Sequence, residues 1–250
     1  MVDRAHKSSD PIALRAKRAG ANFIIDSIGV QGLDQDTDSV AYLFDIADEA
    51  SVRDRQSIEL LEDIGVDTGR VKMTGDLGLT IDASRIAPRE NGRDAKRKIA
   101  INYADPRFYE DRGWREHVIK IFCDIAEAVA PEFELVYLPH VRHTTQISQN
   151  CIIVAEHLNL YSHGLIKTVD FPATVYDLIG MYRECDGVIA QRYHAMIIAK
   201  LLNLKSISLY VEKKSKYFAV ADDFGLTSVS IDDHSYIVKD KIIGEVQAWN

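Results

Sequence analysis

Short apolar runs alternate with helical stretches along most of this 250-residue chain, and no other feature restricts its fold as strongly. From residue 99 the order is regular. Strands are expected at Ile99–Tyr103, Phe133–Leu138, Leu165–Val169, Asp186–Ala190, Ser206–Tyr210 and Ser228–Ile231, with helices at Trp114–Val129, Thr145–Leu158, Ala173–Glu184, from Ala195 and from about His234. The run Asp186–Ala190 shows no polar alternation, as a strand covered on both faces requires. Strands separated by helices of this length pair in parallel through crossovers, so the expected class is α/β with a doubly wound parallel sheet.

The first third of the chain is less regular. Ser9–Gly20 reads as a helix with Asp10 as N-cap, Pro11 at the first helical position and Gly20 as C-cap. Strands are expected at Phe23–Ser27, Ala50–Arg53 and Arg70–Gly75, and Asp54 opens an amphipathic helix that buries Ile58, Leu60, Leu61 and Ile64 and ends at Gly65. Asp82–Lys98 is polar, holds Pro88 and Gly92, and has almost no apolar periodicity. It divides the chain into a partial Rossmann-like domain (1–82), a linker (83–97) and a complete Rossmann-like domain (98–250).

Charge and composition remove several classes of function. A net charge of −8 excludes a general nucleic-acid binder, whose footprint is a basic excess. Cys123, Cys151 and Cys185 stand far apart in apolar surroundings without a C-x-x-C pair, as reduced core cysteines do. Asp34, Asp36, Asp38 and Asp45 mimic the spacing of a calcium loop, but Ser39 stands where the turn needs glycine, so a solvated loop before a helix is expected and no metal. No apolar run approaches the ~20 residues needed to span a bilayer, and the N-terminus lacks a signal-peptide core. A cytoplasmic protein is expected.

The chemistry is expected at the carboxyl ends of the strands, where open α/β sheets bind ligands. Gln191-Arg192-Tyr193-His194 follows one strand, and Lys213, Lys214 and Lys216 follow the next. Together they describe a site for a small anion with a titratable imidazole in it. His140 and His143 follow the strand Phe133–Leu138. No carboxylate or third histidine stands near them in sequence, so a metal is not expected, and His140 is expected to line the site. Arg53, just before a helix, is a further candidate, although an Asp-paired arginine is ordinary there.

These segments resemble the polysaccharide pyruvyl transferase family. The matching positions are Ser51, Arg53, Asp54, Ser57, Leu61 and Gly65 in the pattern S-x-R-D-x-x-S-x-x-x-L-x-x-x-G, then Arg192, His194 and Ala195 in an R-x-H-A turn, with Lys214 downstream. The resemblance covers about Phe23–Leu226. It implies two Rossmann-like domains arranged as in GT-B glycosyltransferases, the first one shortened. It implies transfer of the pyruvyl group of phosphoenolpyruvate to a sugar diol as a ketal, on a polysaccharide or a precursor that could be lipid-linked, without a cofactor. His194 is then the proton-transfer residue, and Arg53, Arg192, His140 and one lysine hold the donor. Lys214 keeps the spacing to His194 and Lys213 keeps the spacing to Tyr210, so the choice between them stays open.

The chain departs from the family pattern in two places. Thr144, Thr145 and Gln146 stand where acidic residues are common, and the strand and turn that open the first domain in family members have no counterpart before Phe23. A fragment or trimmed descendant is therefore expected, with uncovered strand edges that favour self-association. Two rival readings remain: a GT-B glycosyltransferase using a sugar nucleotide, and a truncated, inactive binding protein.

Overall fold

The structure is a computed structural model and describes residues 11–31, 33, 37–86, 96–142, 151–211 and 215–249. The chain forms two compact units, residues 1–80 and 81–250.

The first unit contains α1 (Pro11–Arg18), β1 (Ile24–Ile28), α2 (Thr37–Ile46), β2 (Glu49–Val52), α3 (Arg55–Asp63) and β3 (Val71–Met73). The strands form one parallel sheet in the order β1-β2-β3. Phe44, Val52 and Leu61 are its most deeply buried apolar side chains. All three expected strands are present within two residues of their expected ends.

The second unit contains β4 (Arg97–Asn102), α4 (Arg107–Glu110), α5 (Arg112–Val129), β5 (Phe133–Tyr137), α6 (Cys151–Tyr161), β6 (Ile166–Thr168), α7 (Val175–Arg183), β7 (Gly187–Ala190), α8 (Tyr193–Leu201), β8 (Lys205–Tyr210), α9 (Lys216–Phe224), β9 (Thr227–Ser230) and α10 (Ser235–Gln247). Its six strands are parallel, in the order β6-β5-β4-β7-β8-β9. The first two crossovers step one way from β4 and the later ones step the other way. That is the doubly wound order, with its topological switch between β4 and β7. Contacts of α5 with α6 and α10, and of α8 with α7 and α9, define the helical layers. Gly187 lets the chain close on itself, because a Cβ there would collide with the ring of Trp249. Lys205 Nζ and Arg97 NH2 then hold the Trp249 carbonyl at 2.6 and 3.1 Å.

Three local expectations differ from the structure. The segment expected as a linker starts with a 3-10 turn at Ala83–Arg85 followed by Ile86, which is 7% exposed. Arg183 of α7 donates to the Ala83 and Ile86 carbonyls, both at 2.7 Å, so this stretch is part of the second unit. The basic loop does not run through Lys216. That residue opens α9, because Ser215 caps the helix and Gly225, at φ 63°, ends it in the left-handed conformation. The helix expected from Ala195 begins two residues earlier, which puts His194 in the first turn of α8.

Candidate functional site

In the second unit the site is built from the carboxyl ends of the two strands at the topological switch. β4 ends in Asn102 and β7 is followed by Gln191, and both side chains are buried. They tie the strand ends together: Gln191 N–H donates to the Asn102 carbonyl at 2.9 Å, and Gln191 Oε1 accepts from Ala104 N–H at 3.1 Å. Asn102 Nδ2 reaches across to the Leu138 carbonyl beyond β5. Its Oδ1 is buried and makes no hydrogen bond among the described residues. A recess of about 300 Å³ opens at this edge, lined by Asp105, Arg107, Gln191, Val211, Ser215 and Tyr217 among others.

Arg192 occupies the N-cap position of α8, whose first turn has no side-chain cap. Its guanidinium acts electrostatically on Tyr109, Tyr137, Tyr182, Tyr217 and His140, so one cation sits among residues drawn from five elements or loops. His194 is exposed and meets Tyr193 edge to face at 5.5 Å. His140 lies just beyond β5, with Nε2 2.7 Å from the hydroxyl of the fully buried Tyr182. Burial, then the positive charges of Arg192 and His194, lower the pKa of His140 to about 3. At neutral pH it is an uncharged hydrogen-bonding group. Burial also holds the phenols of Tyr109, Tyr137 and Tyr182 above their ordinary range, so they remain protonated donors.

The structure therefore brings together three of the expected residues, Arg192, His194 and His140, at one sheet edge. Lys213, Lys214 and His143 lie outside the described residues. Asn102, Asp105, Arg107 and Tyr182 were not singled out by sequence reasoning, and Gln191 was named only as part of the segment after its strand. A polar residue closing an otherwise apolar strand, as at Asn102 and Gln191, is the signal that marks two of them.

Arg53 belongs to the first unit, at the end of β2. It is nearly buried, with Nε 3.1 Å from Asp54 Oδ2 and NH1 3.5 Å from Asp76 Oδ2. The guanidinium lies against Gly29, where any Cβ would collide with it. The surrounding motif residues form a clamp on the loop after β1. Ser51 Oγ donates to Asp26 at 2.9 Å and accepts from Ser27 N–H at 2.8 Å. Asp54 caps α3 by accepting from Ser57 N–H at 2.8 Å, and Ser57 Oγ accepts from Val30 N–H at 2.9 Å. Among the described residues no group of three His, Cys, Asp or Glu could hold a metal ion, and no helix is long and apolar enough to cross a membrane.

Comparison with known proteins agrees with this architecture. The family model described as Polysaccharide pyruvyl transferase matches residues 8–213, most of the chain. No curated protein matches it. Among solved structures, a putative UDP-N-acetylglucosamine 2-epimerase from Listeria monocytogenes is 12% identical with a TM-score of 0.68, covering 94% of this chain and 62% of the other. The UDP-GlcNAc 2-epimerase of Methanocaldococcus jannaschii, in complex with UDP-GlcNAc and UDP, is 13% identical with a TM-score of 0.60, covering 95% and 64%. A UDP-forming trehalose-phosphate synthase from Burkholderia xenovorans is 12% identical with a TM-score of 0.61, covering 96% and 65%. The chain thus spans under two thirds of the length of these proteins, and identities this low establish a shared GT-B-like fold alone.

Proposed function

Because the chain belongs to the polysaccharide pyruvyl transferase family, we propose that its second unit binds phosphoenolpyruvate at the β4/β7 strand ends and transfers the pyruvyl group to a sugar diol as a ketal. The observation that carries this reading is the grouping of Arg192, His194 and His140 at the switch point of the sheet, around the uncapped start of α8. Phosphoenolpyruvate presents a carboxylate and a phosphate, which a guanidinium fork and a helix N-terminus both match. A lysine of the loop after β8, Lys213 or Lys214, supplies a second cation. The motif implies Arg53 as a donor ligand as well, but Asp54 and Asp76 already compensate its charge, so Arg53 is given the role of fixing the loop after β1.

The reaction requires four events. A proton is added to the methylene carbon, and a sugar hydroxyl attacks the resulting cationic carbon. Phosphate then leaves, and a second hydroxyl closes the ketal as its proton is removed. Each hydroxyl gives up one proton, the methylene gains one to become methyl, and the other leaves with phosphate. An exposed imidazole can serve both deliveries and removals near neutral pH, which is the role given to His194. His140, uncharged and bonded to Tyr182, orients the bound donor without competing for the proton.

Calorimetry with phosphoenolpyruvate and a phosphate-release assay with added glycans test the proposal. Donor binding that depends on Arg192, together with glycan-dependent phosphate release, is the expected result. The sugar-nucleotide enzymes among the structural neighbours supply the second reading, in which the same edge takes a nucleoside diphosphate. Stabilisation by UDP with no response to phosphoenolpyruvate would favour that reading. Donor binding without phosphate release would leave a binding protein.

A further inference from the structure

The second unit carries another recess, of about 410 Å³, between the N-terminal ends of α5 and α10. Its lining includes Trp114, His117, Asp232, Asp233, His234 and Tyr236. α5 and α10 pack side by side, so the turns that start them lie next to each other at the same edge of the sheet as the candidate active site. Arg107 divides the two recesses. It lines the first, stacks on the Trp114 ring at 3.7 Å, and bonds Asp105 and Asp232 at 3.0 and 3.3 Å.

The side chains of this recess are held in place and chemically mixed. Trp114 Nε1 donates to Tyr103 Oη at 2.9 Å. His117 Nε2 bonds the Ile231 carbonyl at 2.9 Å; the carbonyl can only accept, so the proton sits on Nε2 and Nδ1 is an acceptor in the neutral ring. His234 and Tyr236 are stacked within 8° of parallel, with Tyr236 58% exposed, so an exposed aromatic ring braced by its neighbour forms a platform at the recess.

Three ligand classes fit poorly. A phosphate or carboxylate would face Asp111, Asp232 and Asp233, and Arg107 is already compensated by two aspartates. A metal ion finds no group of three ligating side chains among the described residues. An apolar ligand would cover Asp111, Asp232 and Asp233 and take water from carboxylates that Trp114 N–H, Arg107 and Lys241 only partly satisfy. A neutral ring with a C–H face and a rim of hydroxyls satisfies both halves of the lining, stacking on the aromatic platform and donating to the carboxylates.

We propose that this recess is a saccharide subsite, which holds a sugar ring of the acceptor on the His234–Tyr236 platform with its hydroxyls donated to Asp232 and Asp233. It deepens the transferase reading, on which it rests for the presence of an acceptor glycan. On the transferase reading the reacting diol belongs at His194, which is not part of this recess, so the subsite takes a ring other than the reacting one and favours oligomeric over monomeric acceptors.

The test is saturation-transfer NMR on the full chain, with the methyl glycosides of glucose, galactose and mannose and the corresponding tetrasaccharides as probes. Phosphoenolpyruvate binding is measured in parallel by calorimetry. Saturation of at least one tetrasaccharide is expected, weakened about tenfold in Tyr236→Ala, which removes one aromatic contact. Asp233→Asn should weaken it as well. Tyr161→Ala, which removes an exposed aromatic ring from α6, should retain the signal. No transfer to any probe, or equal transfer in Tyr236→Ala and Asp233→Asn, overturns the subsite. Saccharide binding with no phosphoenolpyruvate binding by the wild-type chain sinks the transferase reading and leaves the subsite; the reverse pattern sinks the subsite alone.

Discussion

Arg53 and Arg192 each lie between a parallel strand and the helix that follows it, Arg53 one residue before the N-cap of α3 and Arg192 at the N-cap of α8, and the neighbours described for them differ. Arg53 is met by Asp54 and Asp76 and lies against Gly29, and α3 is capped by the same Asp54. Arg192 lies among tyrosines and an uncharged histidine, and α8 starts with no side-chain cap. The N-cap position carries a carboxylate in α3 and the arginine itself in α8, so a strand–arginine–helix turn becomes a charge-compensated clamp in one unit and, in the proposal, an anion site in the other.

The largest expected effect falls on His194. His194→Gln should lower turnover by about 10² to 10⁴, the usual worth of a general acid–base group, with an unchanged melting temperature because the side chain is exposed. Steady-state phosphate release checks this; retention of most of the activity would make the edge a binding surface only. The two arginines come next. Arg192→Ala should weaken phosphoenolpyruvate by about ten- to a hundredfold, matching roughly 1.5–3 kcal/mol for a charge-assisted contact. Arg53→Ala should instead lower stability by about the same energy, because the nearly buried Asp54 and Asp76 lose their counter-ion. Calorimetry and urea unfolding on both variants decide. A loss of donor affinity in Arg53→Ala at unchanged stability would erase the contrast between the units and support the role that the motif implies.

Much of this contrast was legible in the sequence, and the reasons are local. The apolar runs at Ile99, Asp186 and Ser206 specify buried parallel strands, and the doubly wound order that follows from them brings Arg192 and His194 to a ligand-binding edge. Asp54 and Ser57 carry their capping role at a spacing that can be read directly. Asp76 could not be found this way, since it reaches Arg53 only through the pairing of β2 with β3. Tyr182 is an apolar-face residue of α7 by its periodicity, and its bond to His140 depends on how that helix crosses the sheet. The recess at α5 and α10 was illegible for the same reason, because Trp114 and Tyr236 stand 122 positions apart in the chain. α9 was hidden by its polar start, because Lys213, Lys214 and Lys216 were read together as the basic stretch after the strand Ser206–Tyr210.

His140 gives the pH dependence of the second unit. Its pKa is lowered from the ordinary 6.5 to about 3 by burial and by the charges of Arg192 and His194, so between these values the unfolded chain binds more protons than the folded one. Stability should therefore fall as pH drops below 6.5, by no more than about 1.4 kcal/mol per pH unit from this group. Urea unfolding at several pH values should show that slope flattened in His140→Leu. The same shift removes His140 as the source of any activity inflection near neutrality. An inflection that survives in His194→Gln and disappears in His140→Gln would reverse the two assignments.

The smallest effects compare the helix caps of the two units. Ser57 is fully buried and serves two partners at once, donating to Asp54 and accepting from Val30 N–H at 2.9 Å. Ser57→Ala breaks both bonds and leaves a buried amide without an acceptor, which should cost about 1–3 kcal/mol. Ser215 caps α9 through a single longer bond, 3.4 Å to Phe218 N–H, and its loss should cost about 0.5 kcal/mol, the low end for a cap. Hydrogen exchange at the two amides reads the difference residue by residue. Protection at Val30 should collapse in Ser57→Ala, because the clamp fixes the loop after β1 through that one acceptor. Protection at Phe218 should change little in Ser215→Ala, because Phe218 N–H also donates to the Ser215 carbonyl at 3.0 Å, an acceptor that the substitution leaves in place. Equal losses at both positions would mean that the loop of the first unit is held no more tightly than the cap of the second, and that the motif around Arg53 has a role other than fixing it.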